Sequence, residues 1–189
     1  MLESSYRLIG VAPILMHNEA LADPLNKWAR LIKEISSKRK KTDADLLELS
    51  RREWRGGLYY DNNNGVHVPA RCIEAMLRDA AKKTKMGKAV QQALIVPDDA
   101  KLEYKGPQDP DGLWEQQETF CLRATVGVQR ARVVRSRPVF PQWSLTFTAN
   151  YDEEVLNPTQ IGEFLEVGGR LIGLCEWRPK FGRFTYEKA

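Results

Sequence analysis

"GVHVPARCIEAMLRDAA", residues 65–81, joins two structural periods through a single proline. Upstream of it, "GGLYYDNNNGVHVPA" (56–70) reads as a β-hairpin, because "DNNNG" supplies residues that tolerate positive φ in a tight turn. Downstream, Ile73, Met76, Leu77 and Ala80 recur at helical spacing and are expected to face inward. Pro69 suits the junction: it ends a strand and presets the first turn of a helix. The helix is expected to run on through the lysine-rich "KKTK" (82–85), whose charge favours a helix C-terminus.

The flanks extend this mixture of strand and helix. "YRLIGVAPILM" (6–16) reads as a first, largely buried strand. In "DPLNKWARLIKEI" (23–35), Asp23 is expected as N-cap and Pro24 at the first helical position, with Leu25, Trp28, Leu31, Ile32 and Ile35 as the apolar face. Thr42 restarts a helix, with Asp45 three residues on, close to a capping box. Beyond residue 81, "ALIVP" (93–97) reads as a short strand and "EYKGPQDPDGLWEQQ" (103–117) as an exposed loop. Strands follow at "TFCLRATVGVQ" (119–129), "RARVVRSRPVF" (130–140) and "QWSLTFTANYD" (142–152). Asn157-Pro158 opens a helix to about Val167, and "GRFTYE" (182–187) is the closing strand. Strands and helices do not alternate strictly, as they would in a doubly wound sheet. The reading is therefore α+β: a ferredoxin-like or RRM-like antiparallel sheet with helices on one face. It forms a single domain over residues 1–189, with a helical insertion at about 24–54 after the first strand.

Composition narrows the function classes. The 189 residues are 42% hydrophobic and 29% charged, the balance of a globular protein with a real core. No apolar run approaches the roughly 20 residues that span a bilayer. "MLESSYRLIG" (1–10) has an acid before its first arginine and no apolar stretch of signal-peptide type, so the expected location is cytoplasmic with no membrane partner. Cys72, Cys121 and Cys175 have no paired spacing and are expected as reduced thiols. With only His17 and His67, and no CxxC or HxxxH, neither a zinc site nor another cofactor is expected. The net charge of +4 is unevenly placed: no acid lies between Glu118 and Asp152, where Arg123, Arg130, Arg132, Arg135 and Arg137 fall. A second basic cluster, "SSKRKK" (36–41), lies between two helical patterns.

Two stretches together resemble a known family. The 65–81 segment, through Val68, Pro69, Ala70, Leu77 and Arg78, is similar to the extended, Ile-Pro, small-residue, Leu-Arg-helix segment of the repeat-associated mysterious protein (RAMP) superfamily. The likeness is greatest to the backbone-subunit family of CRISPR effector complexes. "EFLEVGGRLIGLCEWRPKFGRFTY" (163–186) resembles the glycine-rich loop between the last helix and last strand of that family, through Gly173 and Phe181-Gly182. Cys175 stands where the family pattern has a second glycine. "YRLIGVAPILMHN" looks like the family's first strand, and an insertion after it falls where the family varies. The resemblance implies a protein that binds single-stranded RNA or ssDNA by its backbone and assembles side by side. It would be a homo-oligomer or a subunit of a ribonucleoprotein complex, in antiviral defence or in a phage.

The candidate binding residues each carry an alternative. Arg130, Arg132, Arg135 and Arg137 read either as a solvated strand edge or as a track for phosphates, which the arginine fork suits. Trp177 either stacks a base or pins its loop. Arg170, Arg178, Lys180 and Arg183 add charge around it, and Arg71 and Arg78 place charge on the helix after Pro69. "KRKK" reads as a solvated turn or as a salt-dependent phosphate contact. His17 is the candidate base for a metal-independent endoribonuclease, against a structural role, and His67 is a weaker candidate. Asp23 resembles the acid with which certain backbone subunits cut RNA, although helix capping is the simpler reading. A third class is a protein-interaction RAMP domain that mimics or docks on a CRISPR complex.

Overall fold

The computed structural model describes residues 1–128 and 131–189. Its strands, in chain order, are β1 (Leu2–Gly10), β2 (Ile14–Leu15), β3 (Tyr60–Asp61), β4 (Gly65–Val68), β5 (Leu94–Ile95), β6 (Ala100–Glu103), β7 (Cys121–Val128), β8 (Ala131–Phe140), β9 (Ser144–Tyr151) and β10 (Phe184–Lys188). The α-helices are α1 (Lys27–Ser36), α2 (Asp43–Gly57), α3 (Ala70–Ala81), α4 (Gly87–Ala93), α5 (Pro110–Glu115), α6 (Gln117–Phe120) and α7 (Pro158–Val167). This is an α+β fold with a mostly antiparallel sheet. The chain divides into two compact units: Met1–Leu15, Tyr60–Gly106 and Phe140–Ala189 form the first, and Met16–Tyr59 and Pro107–Val139 the second.

The first unit is built on a sheet of order β10-β1-β9-β6-β4-β3, with β5 also paired to β9. Residues two apart on a strand share a face, so one register row identifies the core side. Leu145 of β9 lies between Leu8 of β1 and Leu102 of β6, and all three are buried. The next row pairs Tyr6 with Phe147, ring centroids 5.8 Å apart. The opposite face is polar: Arg7 Nη2 donates to Glu103 (2.9 Å), and so does the Ser144 hydroxyl (2.8 Å). Ile73, Met76 and Leu77 of α3 and Ile161, Phe164 and Leu165 of α7 join the buried set. Each such side chain contributes about 1.5–3 kcal/mol on burial. Helix α7 starts as expected, on an Asn157/Gln160 capping box with Pro158 just inside.

The second unit rests on α2, whose Thr42 and Asp45 form a complete capping box. Trp54 is almost fully buried, and its Nε1–H donates to the Phe120 carbonyl (2.8 Å). Ser50 and Ser136 share a hydrogen bond of 2.6 Å. Buried Glu53 receives the Ser136 amide (3.2 Å) and the guanidinium of Arg135. Strands β7 and β8 pair antiparallel from Cys121↔Pro138 to Val128↔Ala131.

Several element boundaries differ from expectation. The first strand ends at Gly10, because Pro13 has no amide proton and the Val11 and Ala12 amides both turn to the Arg183 carbonyl (2.9 and 3.2 Å). Helix α1 begins at Lys27, not Pro24: Asn26 caps it by accepting from Trp28 and Ala29, whereas the Asp23 side chain closes a turn onto the Leu25 amide (2.8 Å). The helix after Pro69 stops at Ala81, and Lys85 takes a left-handed φ of 62° that ends the basic turn before α4. Residues 103–117, expected as loop, hold α5, which repeats the cap-then-proline signature with Asp109 and Pro110.

The capping box carries a pH signature. Hydrogen bonds from Lys38 Nζ (2.6 Å) and the Thr42 amide (3.0 Å) hold the Asp45 carboxyl down at about 2. A folded pKa below the ordinary value of 3.8 means the stabilisation is complete above about pH 4 and fades as pH falls through about 2. An NMR titration of the Asp45 carboxyl carbon is expected to show that low midpoint, and Lys38→Ala is expected to move it up. A midpoint near the ordinary aspartate value in the native chain would contradict the box.

Candidate nucleic-acid interface

One group of cations in the first unit runs from α3 through the turn at residues 82–85 to α4. Helix α3 is aimed by its N-terminal contacts: Asp99 Oδ1 accepts the Ala70 amide (2.8 Å), and Asp99 Oδ2 sits 3.6 Å from Nε2 of buried His67. His67 Nδ1 lies 3.0 Å from the Gly65 carbonyl oxygen and 3.5 Å from Asp61. His67 thus buttresses the hairpin against the helix start.

Between α3 and α4 runs a groove of about 310 Å³ lined by Arg78, Lys82, Lys85, Gly87, Lys88 and Gln91. Four of those six residues are cations, and none is an acid. An adjoining concavity of about 240 Å³ shares Arg78 and Gln91 and reaches Arg71, with Glu74 beside it. Charge along a concave, low-dielectric wall focuses potential outward and attracts anions.

Asp79 ties the C-terminal loop to this groove. It pairs with Lys82 Nζ (2.8 Å), Arg78 Nε (3.6 Å) and Arg178 Nη1 (3.6 Å). Burial works to raise its pKa, but Lys82, Arg78 and Arg178 together outweigh it and hold the carboxyl below the usual range. Arg178 is therefore brought to the basic helix by a charge that stays ionised at neutral pH.

The rest of the loop closes the fold. The Leu174 amide donates to Gly182 O (2.9 Å), Gly182 N–H to Pro13 O (2.8 Å), and Glu176 N–H to Leu15 O (3.0 Å). Trp177 is half-buried at φ 51°, with its ring 6.0 Å from Phe181, and its carbonyl accepts the Phe181 amide. Lys180 Nζ lies 5.9 Å from the Phe181 ring centre, and Arg183 Nε donates to Pro179 O (2.8 Å). Arg170 is exposed on the turn that follows α7. Cys175, at φ 62°, hydrogen-bonds with Cys72 of α3; that bond and burial push its thiol well up, and neither cysteine is in a disulfide.

The other candidates lie in the second unit. Arg132 is exposed on β8, Arg137 is half-buried, and Arg135 is engaged by Glu53. The acid-free run from 119 to 151 is thus met by a carboxylate from α2. Arg130 lies outside the described residues. His17 is exposed, and its carbonyl accepts the Tyr59 hydroxyl (3.1 Å). In "KRKK", Lys38 is bound to Asp45, and Lys41 Nζ donates to the Lys38 carbonyl (2.8 Å). Among the described residues, no group of three or more His, Cys, Asp or Glu could hold a metal ion, and no helix is long and apolar enough to cross a membrane.

Sequence reasoning missed Lys88, and it assigned Lys82 and Lys85 to the helix dipole. The signal was "TKMGK", a break that sets two short helices side by side. Neither a protein-family model nor a curated protein matches this sequence.

Proposed function

We propose that this chain is a RAMP-type, ferredoxin-like domain that binds single-stranded RNA or DNA through the sugar–phosphate backbone. It works side by side with further copies or as a subunit of a ribonucleoprotein complex. The observation that carries this reading is the groove lined by four cations, Arg78, Lys82, Lys85 and Lys88, with Arg178 brought beside it through Asp79, which also pairs with Lys82 and Arg78. Lysine and arginine there neutralise phosphates without reading bases. The groove begins on the helix after Pro69, and Arg178 comes from the glycine-rich loop, so the two stretches that resemble the RAMP family meet in space. The hairpin, helix and antiparallel sheet around them support the ferredoxin-like assignment.

The test is fluorescence anisotropy with labelled single strands of about 30 nucleotides, and with duplex, at about 50 and 200 mM salt. Single-strand affinity is expected to fall with a log–log slope of about −0.7 for each phosphate neutralised, without strong dependence on base sequence. Absence of salt-sensitive binding to any strand would overturn the reading.

A further inference from the structure

We infer that the second unit carries a separate pocket for a single nucleotide, whose base lies against Trp28 and Trp114 and whose phosphate is taken by Arg51. The cavity between α1, α2 and α5 measures about 340 Å³, the low end of small-ligand sites, and suits one nucleotide better than a peptide or a duplex. Its lining is unusual for a surface hollow. Three of the five tryptophans of the chain (Trp28, Trp54 and Trp114) meet there, together with Arg51, Arg52 and Arg55.

The walls are held before any ligand arrives. Trp54 is pinned through its indole N–H to the Phe120 carbonyl, and its ring backs Trp114 at 5.4 Å between centroids. Trp28 is half-buried, with the Arg55 guanidinium 5.3 Å and the Nζ of exposed Lys27 5.5 Å from its ring centre, and a stacked base takes the place of one of these cations on the ring. Arg52 is locked by Glu48 (2.7 Å), Glu34 (3.1 Å) and the Leu31 carbonyl (2.7 Å). Arg51 differs. Its partner Asp111, at 2.9 Å, has a side chain that is 84% exposed, so the pair is weak and exchangeable. A phosphate can replace Asp111 on the fork of Arg51 with two hydrogen bonds, while Asp111 turns to water.

Half-buried indole rings call for a flat π-system, and the exchangeable fork of Arg51 calls for an anion. A nucleotide unites both features. It can come from the free pool or from the end of a strand, and the recognition chemistry is the same. This inference does not depend on strand binding by the lysine groove.

The test is quenching of the intrinsic tryptophan fluorescence of the full chain by 5′-AMP, GMP, CMP and UMP, with adenosine as the uncharged control. Saturable quenching is expected, weaker for adenosine than for AMP. Trp28→Ala is expected to lose ~10- to 100-fold in affinity, the range of base–aromatic stacking. Because Trp28 also packs its helix, Arg51→Ala provides the second variant; it is expected to keep the fold and bring AMP down to the affinity of adenosine. Competition by a short 5′-phosphorylated oligonucleotide assigns the pocket to strand ends, and its absence assigns it to free nucleotides. Lys82→Ala/Lys85→Ala/Lys88→Ala is expected to leave the quenching unchanged. No saturable quenching by ~10 mM nucleotide, or quenching untouched by Trp28→Ala and Arg51→Ala, overturns the inference.

Discussion

Replacing Lys82, Lys85 and Lys88 together by alanine is expected to weaken single-strand binding roughly 500-fold at about 50 mM salt but only roughly 30-fold at about 200 mM. The asymmetry follows from counterion release. Each neutralised phosphate contributes a salt exponent of about 0.7, so three lost contacts flatten the log–log slope by about 2. All three side chains are exposed, so their removal takes little from the core. Lys82 gives up its 2.8 Å pair with Asp79, yet Arg78 and Arg178 remain to hold that carboxylate. Lys85 sits at φ 62°, and alanine meets the same backbone strain there as lysine does. Circular dichroism and the melting curve of the triple variant should therefore follow the native chain. A loss of affinity that is equal at both salt concentrations would point to damaged structure or lost stacking, and would remove the groove from the interface.

The lysine groove also marks the limit of what the amino-acid pattern disclosed. Several local capping and turn signals were readable: Thr42 with Asp45, Asn157 with Pro158, and the "DNNNG" turn all fold as local rules require, whereas Asp23-Pro24 gave way to the Asn26 cap and Asp109-Pro110 passed for loop. Clean alternation at Trp143, Leu145 and Phe147 likewise identified β9 and its buried face. Long-range partners were another matter. An acid-free run in sequence says nothing about Glu53, which approaches Arg135 from a helix 82 residues away. Arg178 reads as a free loop cation until Asp79, on another element, is placed beside it. The tryptophan pocket was hidden for the same reason, since Trp28, Trp54 and Trp114 come from three helices and one of those helices read as a loop. Period and caps are properties of neighbours in the chain; electrostatic partners are properties of the folded surface.

Gly182→Ala is expected to cost about 3–5 kcal/mol and to lower the melting temperature by roughly 8–16 °C. Gly182 has φ +71°, and a Cβ there would lie 2.0 Å from Leu174 O and 2.6 Å from Leu174 N. Those neighbours are backbone, so no side chain can rotate away to make room. The same backbone carries the hydrogen bond between Leu174 N–H and Gly182 O, and the adjacent Gly182 N–H holds Pro13. A shift large enough to admit the methyl group must therefore break the clasp between the C-terminal loop and the start of the chain. Gly65→Ala separates strain from crowding. Gly65 has nearly the same φ, +67°, but nothing lies within 4 Å of its would-be Cβ, so only the left-handed penalty of about 1–2 kcal/mol remains. Thermal denaturation of the two variants side by side should show the larger drop for Gly182→Ala. Equal drops would mean the loop yields at Gly182, and the clasp would then be soft. A large drop for Gly182→Ala alone makes the loop a rigid closure, and Arg178 is then held beside the lysine groove by the fold itself rather than by the ligand.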